Sequence, residues 1–150
     1  MYPRMNFSAA ARWKISEPYR VGVSGSRYWD DYPLFEKRMN QMLHNLPHDK
    51  VHLIAGGAHS GADLHVRRYA KDYGFKYTTF PADWDGPYRK GAGFRRNEWM
   101  GDVITHLIAF WDFKSPGTKH MIDIANREDK NIIVQRSEER RVGKECRSRW

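Results

Sequence analysis

Apolar residues along this chain switch repeatedly between two spacings. In YRVGVSG, Val21 and Val23 stand two apart, which is the period of a strand, and the run ends at Gly25. In YPLFEKRMNQMLHNL, Phe35, Met39, Met42, Leu43 and Leu46 recur three and four apart, which is the period of a helix. Pro33 lies near the start of that run and Pro47 beyond its end. VHLIA is a second strand. GADLHVRRYAKDYG places Ala62, Val66, Tyr69, Ala70 and Tyr73 on one helical face, with Gly74 as the C-terminal cap. FKYTTF is a third strand. After a long connection, PADWDGPYRKGAG, the pattern predicts a helix over FRRNEWMGDVI, a strand over THLIAFW, a helix over PGTKHMIDIANRED and a strand over NIIV.

Strands that alternate with helices predict a parallel sheet covered on both faces. The expected fold is therefore α/β, a Rossmann-like three-layer sandwich around a mainly parallel, five-stranded sheet. The connections are unequal. Those from helix to strand (NLPHDK, DYGF, REDKN) are plain. Those leaving strands (GSRYWDD, GGAHSGAD, PADWDGPYRKGAGFRRN, DFKSPGT) collect glycines, arginines and indoles. In open α/β sheets the ligand crevice lies beyond the carboxyl ends of the strands, so the unusual residues fall where a site is expected.

Composition narrows the picture. Apolar residues make up 40 % and aromatics 14 %, a globular rather than disordered balance. The first eighteen residues lack the apolar core of a signal peptide and read as a loose N-terminal arm, 1–18; the expected location is cytoplasmic. The last fifteen, RSEERRVGKECRSRW (136–150), have no helical or strand period and resemble the translation of a sequencing-adapter DNA. They are read as a non-native tail, with the natural C-terminus lying beyond Gln135 and missing here. The tail holds six basic and three acidic residues, so without it the formal charge falls from +8 to +5. It also holds the single cysteine, Cys146. A cysteine-free domain, 19–135, excludes disulfides, thiolate metal sites and cysteine nucleophiles. The histidines show no metal-ligand spacing, and no metal is expected.

The strand exits suit an anion. Gly56 and Gly57 permit a sharp turn and close approach of a ligand. Ser60, followed by Gly61, can cap the next helix and leave backbone N–H groups at a positive dipole end. Asp63 admits two readings: partner of Ser60 in a capping box, or holder of a ribose hydroxyl or of the loop itself. Ser115, Pro116, Gly117 and Thr118 repeat the logic with an N-cap, a first-turn proline and two donors. Gly25 and Ser26 give a third small-residue exit. Arg27 and Arg96, with Asn97, supply cationic and polar groups suited to phosphate. Trp84 is the candidate for stacking a base; Tyr88 is a weaker one, and Trp99 reads as core.

Taken in order, SGSR, GGAHSGAD, FPADW, GAGFRRNEWM and DFKSPGTKHMI resemble the YspA-like branch of the SLOG superfamily, over Val21 to about Val134. The resemblance implies a Rossmann-like fold that binds nucleotides or nucleotide-derived ligands. Superfamily relatives commonly dimerise, so a homodimer is implied. Relatives include cytokinin-activating phosphoribohydrolases, whose motif ends in a catalytic glutamate. Arg96, Met100, Gly117 and Thr118 match that pattern, but the glutamate position holds Met121, which can neither steady oxocarbenium charge nor activate water. The expectation is a sensor or sequestering module for a nucleotide derivative, with no required cofactor, no assigned catalytic residue and no membrane partner. The alternative is an enzyme hydrolysing an N-glycosidic or phosphate bond, with Asp63, Asp83, Asp85 or Asp112 as its carboxylate. A lesser alternative is DNA binding, which the positive charge favours mildly; no nucleic-acid reading motif is visible.

Overall fold

A computed structural model of the chain describes residues 14–58, 60–82 and 91–136. It contains β1 (Tyr19–Gly25), α1 (Tyr32–Leu43), a short 3-10 turn (His48–Lys50), β2 (Val51–Ala55), α2 (Gly61–Tyr73), β3 (Lys76–Thr79), α3 (Ala92–Val103), β4 (His106–Trp111), α4 (Pro116–Arg127) and β5 (Asn131–Arg136). The strands form one sheet in the order β3-β2-β1-β4-β5, and every neighbouring pair is parallel. The sheet is thus wholly rather than mainly parallel. The chain steps outward from β1 to β3, then crosses back to β4 beside β1. That reversal is the switch point where such sheets open a crevice.

Two cores account for the layers. On one face Val21, Val23, Leu53, Ala55 and Phe110 meet Phe35, Met39, Val66 and Tyr69 from α1 and α2. On the other, Ile54 and Leu107 meet Met100, Val103, Met121 and Ile124 from α3 and α4. Residues one apart on β2 thus serve opposite cores, as the strand period requires. Tyr73, expected on the core face of its helix, lies at the margin, 38 % exposed, with its ring against Tyr69.

Two boundaries differ from expectation. Residues 14–18 are not loose: Ile15 and Glu17 are buried. Ile15 joins the α3–α4 core, and the Glu17 carboxylate pairs with His52 Nδ1 at 2.8 Å and with Lys76 Nζ. His52 Nε2 in turn meets Thr78 Oγ1 at 2.7 Å. At the other end β5 includes Arg136, in register with Trp111, one residue beyond the expected limit. The rest of the tail, and residues 1–13 of the arm, lie outside the described residues.

The Glu17 cluster carries a pH signature. Hydrogen bonds from Lys76 and then His52 outweigh burial and hold the carboxyl at about 2, below its ordinary 4.5. A depressed native pKa stabilises the fold above the unfolded value, and that stability is lost as pH falls from about 4.5 toward 2. Lys76 is well exposed, so screening reduces the effect to roughly 1–2 kcal/mol. Unfolding free energies from urea titrations at pH 5 and pH 2.5 should differ by that much more in the wild type than in Glu17→Gln. Equal differences would remove the cluster from the acid response.

Candidate functional site

A cavity of about 510 Å³ opens at the carboxyl ends of β1, β2 and β4. It is lined by Gly25, Arg27, Gly56, Ser60, Asp63, Arg96, Asn97, Ser115, Gly117 and Thr118, which the sequence reading had placed in four separate segments. Ser26, Gly57 and Gly61 stand outside the lining. Trp84, Asp83, Asp85 and Tyr88 lie outside the described residues. The lining also includes Tyr28, Phe94, Met100, Asp112 and Lys114, which the pattern of small residues did not single out. Their shared signal is position: all but Met100 sit just after a strand or in the first turn of the next helix.

The start of α4 is the most open of the strand exits. Asp112 Oδ1 accepts from the N–H groups of Lys114 (2.9 Å) and Ser115 (2.8 Å), and its Oδ2 accepts from the Ser115 hydroxyl (3.2 Å). Burial pushes the Asp112 carboxyl up, but these bonds and one from Ser26 prevail and hold it below its ordinary value. Ser115 is the N-cap by backbone geometry, yet its hydroxyl faces Asp112 and makes no capping bond to the helix. The second and third helical residues, Gly117 and Thr118, have no carbonyl one turn earlier for their N–H groups. Both line the cavity, and nothing lies within 4 Å of where a Cβ on Gly117 would stand.

The start of α2 is more closed than expected. Ser60 makes no side-chain cap, and the capping box with Asp63 does not form. Asp63 reaches back instead, and its Oδ2 accepts from Ala58 N at 3.0 Å. The Ala62 N–H donates to the Ser26 carbonyl at 3.1 Å, so one donor expected for a ligand holds the β1 exit loop. Ser26 is itself held by its neighbours: its N–H donates to Phe110 O on β4, and its hydroxyl accepts from Tyr28 N and bonds the Asp112 carboxylate. The two exits are thus tied together beneath the cavity.

Arg96 explains Gly56. Its Nη1 donates to the carbonyls of Gly56 (2.9 Å) and Phe80 (3.2 Å), and its Nε donates to Asn97 Oδ1 (2.9 Å). A Cβ on Gly56 would stand 2.2 Å from Nη1, so this glycine makes room for a guanidinium forty residues away. Burial lowers the Arg96 pKa, and Asp63 opposes it. Burial likewise raises the Asp63 carboxyl, against the Ala58 N–H, the Arg96 charge and the Gly56 N–H. Asn97, nearly fully buried, passes the linkage on through Nδ2 to Gly117 O at 3.2 Å. Arg27 and Lys114, by contrast, are exposed at the rim. Met121, in the position of the phosphoribohydrolase glutamate, is 1 % exposed in the α3–α4 core and does not line the cavity. Trp99 packs against the same core. Among the described residues, no group of three His, Cys, Asp or Glu is placed to hold a metal ion. Nor is any helix there long and apolar enough to cross a membrane.

Solved structures share this architecture. DNA processing protein A from Streptococcus pneumoniae superposes with a TM-score of 0.60 at 16 % identity, over 77 % of this chain and 50 % of that one. This chain therefore spans half the length of that relative. DNA processing protein A from Helicobacter pylori, described for its single-stranded DNA binding mode, gives 0.62 at 18 % over 88 % and 75 %. The molybdenum cofactor carrier protein from Chlamydomonas reinhardtii gives 0.60 at 16 % over 83 % and 81 %. At such identities the likeness is one of fold. No curated protein matches the chain significantly. The family model of the YspA, cpYpsA-related SLOG family matches residues 19–86, the segment that carries β1 to β3 and the exits holding Gly25, Gly56 and Gly57, and over that segment the chain is similar to this family.

Proposed function

We propose that the chain binds a small nucleotide or nucleotide-derived ligand in the switch-point crevice, with its phosphate at the start of α4. One observation carries this reading. The second and third residues of α4 face a cavity of about 510 Å³ without a side-chain cap, and Arg27 and Lys114 stand at its rim. An uncapped helix N-terminus favours an anion, and exposed cations nearby add attraction at little desolvation cost. The volume fits a nucleotide-sized ligand. Arg96 shapes the floor, and its hydrogen bonds go to the protein. Two carboxylates, Asp63 and Asp112, also line the cavity, so each ligand tested should be recovered and checked for cleavage. Single-stranded DNA is a second reading. It is favoured by the fold shared with DNA processing protein A and by the exposed Tyr28 beside Arg27.

Gly117→Asp tests the phosphate site. A Cβ at this position meets no atom within 4 Å, and an acidic residue in a first turn stabilises a helix by roughly 0.3–1 kcal/mol. The melting temperature without ligand should hold or rise slightly. A nucleotide at 100 times its Kd should stabilise the wild type by about 2.7 kcal/mol. In Gly117→Asp the affinity should fall at least about tenfold, or ~1.4 kcal/mol. Unchanged affinity would place the phosphate elsewhere. Protection by oligonucleotide alone would favour the DNA reading.

A further inference from the structure

A second, smaller cavity of about 220 Å³ adjoins the first and shares Tyr28 and Asp112 with it. Its remaining lining is Ser26, Trp29, Asp30, Asp31 and Leu34. The two spaces differ in charge. The large cavity has Arg27, Arg96, Lys114 and a helix start; the small one has three carboxylates and no cation. A phosphate is therefore repelled from the small cavity, whereas a neutral group rich in N–H donors is attracted.

Its walls offer specific chemistry. Trp29 is 7 % exposed, and its indole N–H is buried without a hydrogen-bond partner. A buried unmet donor is unfavourable, so a ligand acceptor that reaches it would relieve that penalty. Of the carboxylates, Asp31 caps α1 through Leu34 N, and Asp112 holds the Lys114–Ser115 turn. Asp30 is exposed, and its side chain is bound into neither arrangement. Tyr28, 80 % exposed, presents an aromatic face where the two cavities meet. One donor, one carboxylate acceptor and a ring face together complement a nucleobase, whose edge carries both N–H donors and lone pairs.

We propose that this side cavity takes the base of the nucleotide: Trp29 Nε1–H donates to a ring acceptor, Asp30 accepts from a base N–H, and Tyr28 stacks. The proposal rests on the nucleotide reading above and adds the ligand's orientation, with phosphate at α4 and base toward α1. It also supplies a base site wholly within the described residues, independent of Trp84.

The test compares binding of ADP, GDP, CDP and UDP with that of inorganic pyrophosphate, which has no base. The proteins are the full chain, Trp29→Phe, Asp30→Asn and Tyr28→Ala. Tyr28 and Asp30 are exposed, so their variants keep the fold even if Trp29→Phe loosens the core. The expected result is a roughly five- to tenfold loss for at least one nucleoside diphosphate in each variant, with pyrophosphate binding unchanged. Wild-type affinity for every nucleotide in Asp30→Asn and Tyr28→Ala would overturn the base site and leave the phosphate site standing. An equal loss for pyrophosphate and nucleotides would also overturn it, by showing a general disturbance of the crevice. Failure of the wild-type chain to bind any of the five probes would overturn both readings.

Discussion

Gly61→Ala should be among the most damaging single substitutions in this protein, costing about 3–5 kcal/mol. Gly61 opens α2 with φ +66°, and an added Cβ would stand 2.2 Å from Ser26 O and 2.3 Å from Arg27 Cα. Both neighbours are backbone atoms, so no side-chain rotation relieves the collision. The Ser26 carbonyl also accepts the Ala62 N–H, so pushing the strands' exits apart breaks that bond as well. Gly74→Ala is the control. Gly74 has a similar φ of +72°, but nothing lies within 4 Å of its added Cβ. It should lose only the left-handed penalty, about 1–2 kcal/mol. Urea unfolding of the two variants separates collision from conformation, and equal losses would refute the collision. Because the β1 exit loop carries Arg27 and Tyr28, Gly61→Ala should also weaken whatever binds the crevice.

The same residue marks the limit of what could be read from the chain. Periodicity announced each element because it reflects burial of one face, which is local in sequence. Val21 and Val23, or Phe35 and Met39, face the core for reasons visible within a few residues. The concentration of odd residues at the strand exits was also visible, and the cavity lies there. What those residues do was less legible, because glycine reports crowding without saying by what. Gly56 suggested close approach of a ligand, and Gly61 a place in an anion-binding helix start. Gly56 makes room for Arg96, and Gly61 for the backbone of Ser26 and Arg27. Asp63 three residues after Ser60 matched a capping box, but Ala58 N and the Arg96 charge draw the carboxylate the other way. Trp29 was legible only as one of the indoles gathered at the strand exits. Its significance is a buried N–H that no neighbour satisfies, which only packing reveals.

Arg96→Met should cost about 3 kcal/mol at neutral pH, and the loss should depend on pH in a definite direction. The guanidinium serves the Gly56 and Phe80 carbonyls and Asn97, and it faces Asp63. Burial already raises the Asp63 carboxyl above 3.8, and Arg96 is one of the influences that restrain it. Removing Arg96 raises it further. A native pKa above the unfolded value means that the folded state holds the proton more tightly. Stability then falls as pH climbs from the unfolded pKa through the native one, and the higher native value extends that fall. Arg96→Met should therefore be milder at pH 4 than at pH 7.5. Adding Asp63→Asn removes the stranded charge, so the double variant should be more stable than Arg96→Met at pH 7.5 and should lose most of the pH dependence. The four-protein cycle at two pH values measures this coupling directly. If Arg96 instead serves chiefly to neutralise bound phosphate, Arg96→Met would keep its melting temperature, show no added pH dependence and lose only affinity. The hydrogen bonds of the guanidinium favour the first outcome, in which Arg96 holds the exits of β2 and β3 in place and leaves the bound anion to the α4 start, Arg27 and Lys114.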